Sequence, residues 1–274
     1  KLLHLESRNL KRSLVETHRS KNGRAKRSGR DLLSFACNDY LNLSGDPRVG
    51  RAAQKAIDQY GTGAGASRLV TGNHPLYQDL EKRLAQLKGT EDACVFGSGY
   101  LANLGIIPSL VGPKDLIVVD ELSHACILAA SKLSSAHVEI FKHNDTRHAR
   151  HILKKLRSQH PHAMILTDAV FSMDGDLAPL DELCVLAQTF DSWLMTDDAH
   201  GVGVLGAGRG STFFEGAKVN VPLQMGTLSK AIGSYGGYLC ASKSVISLMR
   251  TRARTLIYST GLPPAVIAAS IAAL

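Results

Sequence analysis

Val221-Pro222-Leu223-Gln224-Met225-Gly226-Thr227-Leu228-Ser229-Lys230-Ala231 is a short apolar run that delivers one lysine among hydroxyl groups. Residues 221–225 have the length of a buried strand rather than of a helix. Gly233, Gly236 and Gly237 follow, so the chain can turn sharply just past the lysine. A lysine brought to the end of a buried strand loses hydration. Its pKa falls, and more of it is the free amine that attacks an aldehyde.

Similar apolar runs recur upstream and downstream, at residues 93–96, 116–120, 138–141, 163–168, 193–196 and 237–241. Helix-length amphipathic segments, such as 146–159 and 180–190, separate most of them. Short strands alternating with helices predict an α/β fold whose mainly parallel sheet is covered by helices on both faces. Ahead of the first run, Pro47 opens a helical pattern to Tyr60. A second helix starts at 73–75 and runs to Lys88, with Leu76, Leu80, Leu84 and Leu87 on one face.

The chain has 274 residues, 44% hydrophobic and 20% charged, as expected for a globular protein with a real core. No apolar run nears the roughly 20 residues that span a bilayer, so no membrane partner is expected. The five cysteines, at 37, 94, 126, 184 and 240, are far apart, with no CxxC pair. They read as reduced thiols of a cytoplasmic protein. The formal charge is +8, but residues 1–30 hold ten Lys and Arg against two acids, Glu6 and Glu16, and the rest of the chain balances. A neutral body with a basic arm argues against nucleic acid as partner. The arm reads as a solvated amphipathic helix and turn, or as a carrier of an Arg that reaches an anionic substrate. Residues 1–45, with a short strand at 32–37, form the N-terminal arm, and 46–274 the large domain. The chain stops at Leu274 inside a helical pattern that opens near Pro264, which predicts that it is cut short.

Ligands of such sheets bind beyond the carboxyl ends of the strands, and the polar clusters of this sequence sit there. Asp197-Asp198-Ala199-His200 ends one run. An Asp beside a pyridine nitrogen keeps it protonated, and the ring then acts as an electron sink; a His three residues on can reach a ring hydroxyl. Metal is the rival reading of Asp197 and His200, but the sequence offers no HxH or HExxH to complete a ligand set, so no metal is expected. Gly97-Ser98-Gly99-Tyr100 ends a strand and opens a helix, whose free amides bind phosphate. It is neither a Walker motif nor GxGxxG, since Ala102 fills the last place. His124, after Asp120-Glu121-Leu122-Ser123, could stack on a flat cofactor. Ser172 could hydrogen-bond the cofactor's ring oxygen. The assembled chemistry is that of pyridoxal 5'-phosphate (PLP).

Seven ordered motifs carry a resemblance: Asn38-Asp39-Tyr40-Leu41, Gly65-Ala66-Ser67-Arg68, Phe96-Gly97-Ser98-Gly99-Tyr100, Leu122-Ser123-His124-Ala125, Val170-Phe171-Ser172-Met173-Asp174-Gly175-Asp176, Asp197-Asp198-Ala199-His200-Gly201 and Gly226-Thr227-Leu228-Ser229-Lys230. From about residue 32 to the end the chain resembles the α-oxoamine synthases, fold-type I PLP-dependent transferases. The resemblance implies that Lys230 forms a Schiff base with PLP and acts as general base. Asp197 pairs with the pyridine nitrogen, His200 contacts the ring hydroxyl with Ser172 nearby, and His124 stacks on the ring. Gly99, Tyr100 and Thr227 hold the phosphate, and Arg12 and Asn38 contact substrate. It further implies a homodimer, with the 63–68 loop and Tyr258-Ser259-Thr260 at its interface. The implied reaction joins an amino acid to an acyl thioester of coenzyme A or a carrier protein, with loss of carbon dioxide. The resemblance also implies a C-terminal small domain that is missing here, so a truncated, non-catalytic PLP-binding remnant is the alternative.

Overall fold

The computed structural model describes residues 1–20, 23–216 and 218–274; Lys21, Asn22 and Ala217 lie outside the described residues. The chain divides into two compact units, Lys1–Asn38 and Asp39–Leu274. The first holds a short helix, α1 (Leu2–Ser7), and an antiparallel sheet of β1 (Thr17–Arg19), β2 (Arg24–Arg27) and β3 (Arg30–Leu33). Ser28 and Gly29, at φ 49° and 76°, make the two-residue turn between β2 and β3, where both positions must be left-handed. The expected solvated helix is present, and a small antiparallel sheet stands where only a turn was expected. The helix is six residues long with none buried, and the strand ends at Leu33 instead of running over 32–37. The hairpin gives no alternating pattern to read, because Ala25 is its only buried residue.

The second unit contains α2 (Pro47–Tyr60), α3 (Leu76–Lys88), β4 (Asp92–Phe96), α4 (Gly99–Leu110), β5 (Leu116–Asp120), α5 (Ala125–Leu133) and β6 (His137–Phe141). It continues with α6 (Thr146–Leu156), β7 (Ala163–Asp168), α7 (Leu180–Thr189), β8 (Trp193–Asp197), β9 (Leu223–Thr227) and β10 (Gly237–Ala241). Three helices end it: α8 (Lys243–Arg252), α9 (Arg254–Ile257) and α10 (Pro264–Ala273). Local signals set several boundaries. Asp46 caps α2, its carboxylate accepting the Arg48 N–H at 2.7 Å, and Pro47 opens that helix. Gly89, left-handed at φ 62°, ends α3.

Seven strands form one sheet in the order β4-β10-β9-β8-β7-β5-β6. Strand β10 runs antiparallel to both its neighbours, while the other neighbouring pairs are parallel. The expected run at 221–225 forms two residues later, as Leu223–Thr227. Pro222 supplies no N–H for the ladder, so pairing begins after it and Thr227 becomes part of the strand.

Both faces of the sheet are covered. In β5, Ile117 and Val119 join one core with Ile106 of α4, Ile127 of α5 and Met249 of α8. Leu116 and Val118 join another with Ile152 of α6 and Leu183 of α7. Towards β4 and β10, Val95, Tyr238 and Cys240 pack with Leu80 and Leu84 of α3 and Ile267 of α10. Burying each large aliphatic side chain contributes roughly 1.5–3 kcal/mol. The strands are therefore fixed along their length, and their carboxyl ends can hold polar groups that contribute nothing to the core.

Candidate active site

Strands β5, β7, β8 and β9 end at Asp120, Asp168, Asp197 and Thr227. Asp168 and Asp197 are register partners on adjacent strands, which sets two carboxyls side by side. Beyond them a cavity of about 180 Å³ is lined by Lys230, Asp197, Asp168, His124, His200, Cys126, Ala199 and Met225, with Ser98, Gly99, Tyr100, Thr227 and Ser229 along one side. Two roomier clefts, of about 740 and 670 Å³, contain none of these groups.

Lys230 sits in the loop between β9 and β10. That loop is closed by Leu228 N–H donating to Gly236 O at 3.0 Å and by Gly233 N–H donating to Lys230 O at 2.8 Å. Gly233 is required: its φ is +68°, and a Cβ there would overlap the backbone of Leu43 and Ser44. Burial pulls the Lys230 ammonium below its usual pKa range, against the attraction of Asp197 and Asp168. Asp197 is 5% exposed. Burial raises it, while Asn103, whose Nδ2 donates to Oδ2 at 2.8 Å, and Lys230 oppose the rise. Asp168 is pushed up to about 8 by burial and by Asp197, although it accepts the His124 backbone N–H at 2.7 Å. His200 falls to about 4, chiefly through burial. Its Nδ1 lies 2.6 Å from the Tyr40 hydroxyl.

The turn that carries Asp197 and His200 is anchored from behind. Asp198, fully buried, accepts from Lys88 Nζ at 2.7 Å and from Ser211 Oγ at 2.6 Å. Lys88 also donates to Arg209 O at 2.7 Å. On the opposite side of the cavity, Ser98 caps α4 by accepting the Leu101 N–H at 3.1 Å. The N–H groups of Gly99 and Tyr100 are then at an open helix N-terminus. A Cβ on Gly99 would come within 3.3 Å of Met225 and 3.6 Å of Thr227 Oγ1, so the glycine keeps that corner clear. Thr227 Oγ1 lies 2.8 Å from Ser229 Oγ.

This donor set fits PLP. A helix N-terminus with two hydroxyls suits a phosphate, a buried Asp suits a protonated ring nitrogen, and a lysine with depressed pKa suits an aldehyde. The structure brings Lys230, Asp197, His200, His124, Gly99, Tyr100 and Thr227 to one cavity. Ser172 is exposed, in the turn closed by Gly175 N–H donating to Phe171 O at 2.8 Å, and it does not line the cavity. Arg12 and Asn38 belong to the first unit. Sequence reading missed Asn103, Cys126, Asp168 and Tyr40 as site residues. Asp168 and Tyr40 had a usable signal, a strand end and a quoted motif; Asn103 and Cys126 lie inside helices. Among the described residues no group of three or more His, Cys, Asp or Glu could hold a metal ion, and no helix is long and apolar enough to cross a membrane.

Comparison with known proteins agrees with this geometry. Residues 30–274 match the family model for aminotransferase class I and II. The 8-amino-7-oxononanoate synthase of Methylocella silvestris is 64% identical over 90% of this chain and 71% of its own length. That of Beijerinckia indica subsp. indica is 61% identical over the whole chain and 71% of its own. Among solved structures, serine palmitoyltransferase from S. paucimobilis, with PLP and myriocin bound, superposes with a TM-score of 0.92 at 28% identity, over 99% of this chain and 71% of that one. The chain belongs to the aminotransferase class I and II family, PLP-dependent transferases of the fold described above. Its place there is among the α-oxoamine synthases, the group of 8-amino-7-oxononanoate synthase and serine palmitoyltransferase.

Proposed function

We propose that this chain carries the active site of an 8-amino-7-oxononanoate synthase, joining L-alanine to a pimeloyl thioester in biotin synthesis. The observation that carries the reading is the meeting of Lys230, Asp197, His200 and His124 with the α4 N-terminus in one cavity. Identity of 61–64% to enzymes of that name, against 28% to serine palmitoyltransferase, supports alanine over serine.

Bound PLP supplies an electron sink for the negative charge left at the amino acid's Cα. Lys230 Nζ is the covalent attachment point and, once displaced by the amino acid, the base that takes the Cα proton. Its lowered pKa favours the free amine that both tasks need. Asp197 would hold the ring nitrogen's proton, His200 the ring hydroxyl, and His124 the ring face. The amides of Gly99 and Tyr100 and the Thr227 hydroxyl would hold the phosphate. The net reaction joins Cα to the acyl carbonyl carbon, releases the thiol and loses the carboxylate as carbon dioxide. Arg12 and Asn38 are proposed substrate contacts and Ser172 a further cofactor contact, each on its motif alone. Coenzyme A and a carrier protein are the candidate donors.

A cytoplasmic homodimer belongs to the same reading. The loops at 63–68 and 258–260 form one surface, since Ser67 and Thr260 pair as an isolated bridge and Gly261 N–H donates to Ala66 O at 3.0 Å. Leu69, Val70 and Tyr258, in or next to these loops along the chain, expose 60%, 74% and 72% of their surface, and a second subunit would cover them.

The test is a scan of thiol release from pimeloyl-coenzyme A and pimeloyl-carrier protein with L-alanine, glycine and L-serine, with product mass measured. Release with alanine and an amino ketone product is the expected result. Preference for glycine or serine would move the chain to another α-oxoamine synthase, and no release with any donor would overturn the proposal.

A further inference from the structure

His124 precedes α5, and its ring caps that helix: Nδ1 accepts the Cys126 N–H at 3.2 Å. A main-chain N–H can only donate, so Nδ1 carries no proton in this arrangement. Cys126 Sγ lies 2.8 Å from the same nitrogen. Burial and the neighbouring Asp197 push this thiol up to about 12, so its S–H is present to donate. A neutral imidazole whose Nδ1 accepts must hold its proton on Nε2.

The thiol is itself held. Asn103, fully buried within α4, turns its Nδ2 to Cys126 Sγ at 3.0 Å and to Asp197 Oδ2 at 2.8 Å. Both its N–H groups are used, while its Oδ1 is buried with no partner. The opposite amide orientation would set a carbonyl oxygen against the Asp197 carboxylate, so the orphaned oxygen is the cost of the two donations. Each donor's direction is therefore set: Asn103 gives one hydrogen to Asp197 and one to Cys126, and Cys126 gives its own to His124.

We propose that Cys126 and Asn103 are positioning residues that hold the His124 proton on Nε2 and tie that ring to the Asp197 carboxylate. His124 then faces the cavity as a donor and cannot be the base, which leaves proton removal to Lys230. Resting on the function proposed above, the Nε2–H would meet an anionic oxygen, and the carboxylate of the amino acid is the one that chemistry supplies.

Nitrogen-15 NMR of the PLP-loaded protein with labelled histidine tests this, the His124 signals being those lost in His124→Asn. The expected result is a single Nε2–H tautomer in the native protein and in Cys126→Ser, whose hydroxyl can still donate. In Cys126→Ala only the main-chain N–H remains on Nδ1, so an Nδ1–H population should appear beside the Nε2–H form, and L-alanine, titrated through the cofactor's visible band, should bind roughly tenfold more weakly, the worth of one hydrogen bond. Melting temperatures should agree between the native protein and Cys126→Ser, while in Cys126→Ala the tautomer and the alanine affinity are readouts that lost packing alone would not move. Asn103→Ala should shift the pH at which the visible band changes, through Asp197. An Nδ1–H signal in the native protein overturns the proposal. So does a Cys126→Ala protein that keeps both the native tautomer and native alanine binding. If alanine fails to bind even the native protein, the function proposed above fails, and the tautomer still decides this inference.

Discussion

Lys88 Nζ sits 2.7 Å from Asp198 Oδ2, with both side chains wholly out of solvent, one residue along the chain from Asp197. Removing one partner of a buried pair leaves an uncompensated charge and costs about 3–5 kcal/mol. Lys88→Met should therefore lower stability in urea unfolding by about that amount. The pair also leaves no space around itself: a Cβ at Gly210 would overlap the Asp198 carboxylate, at a backbone φ of +97°. Gly210→Ala should destabilise the protein and, by displacing Asp198, loosen the turn that carries Asp197 and His200.

Lys230 is only partly buried, and its amine is held below its normal pKa by burial. Lys230→Ala should therefore leave the cofactor-free protein at least as stable as the native one. It should abolish borohydride-fixed PLP labelling and lower turnover by roughly a thousandfold or more. A labelled peptide that survives in the variant would disprove the attachment point.

His143 lies between two carboxylates, with Nδ1 3.0 Å from Asp120 Oδ1 and Nε2 2.8 Å from Asp176 Oδ2. Burial lowers its pKa, but the hydrogen bonds and charges of those two acids outweigh it and the net shift is upward. A raised folded-state value means that protonation favours the folded form. This contribution is complete below the unfolded value of about 6.5 and is lost as pH rises through the raised value. His143→Gln should flatten the melting-temperature profile in that window, measured by calorimetry between mildly acidic and mildly alkaline pH.

His200 behaves in the opposite sense. Its folded value is about 4, so it is neutral at physiological pH. Protonation favours the unfolded chain, and stability should fall as pH drops from about 6.5 towards 4. The Tyr40 hydroxyl, 2.6 Å from Nδ1, orients the ring. Tyr40→Phe should weaken PLP binding several-fold, about the value of one hydrogen bond, as read by fluorescence titration of the cofactor. Unchanged PLP affinity would remove Tyr40 from the site.

Much of this was legible in the sequence because of where strands end. A parallel strand buried on both faces reads as a plain apolar run, and the first polar residue after it is already at the ligand-binding edge. Asp197 and Lys230 announce themselves in this way. Asn103 and Cys126 do not. Both lie in helices among residues such as Ala102 and Ile127 that pack the core, and only the fold reveals that they touch Asp197 and His124. The reversal of β10 was equally hidden, since an apolar run has the same composition in either direction. The charged hairpin of the first unit buries too little for periodicity to register.

That reversal separates two histories within one cavity. The lysine's loop joins neighbouring antiparallel strands and is closed by hydrogen bonds among residues 228–236. Those closing hydrogen bonds are local in the chain, of the kind that form fast. The α4 N-terminus, His124 and Asp168 come from strands and helices 60 to 130 positions away, roughly half the chain, and meet the lysine only when the parallel sheet assembles. The nucleophile is thus stationed early by its own neighbourhood, and the pocket becomes chemically competent last, when the most distant strands dock.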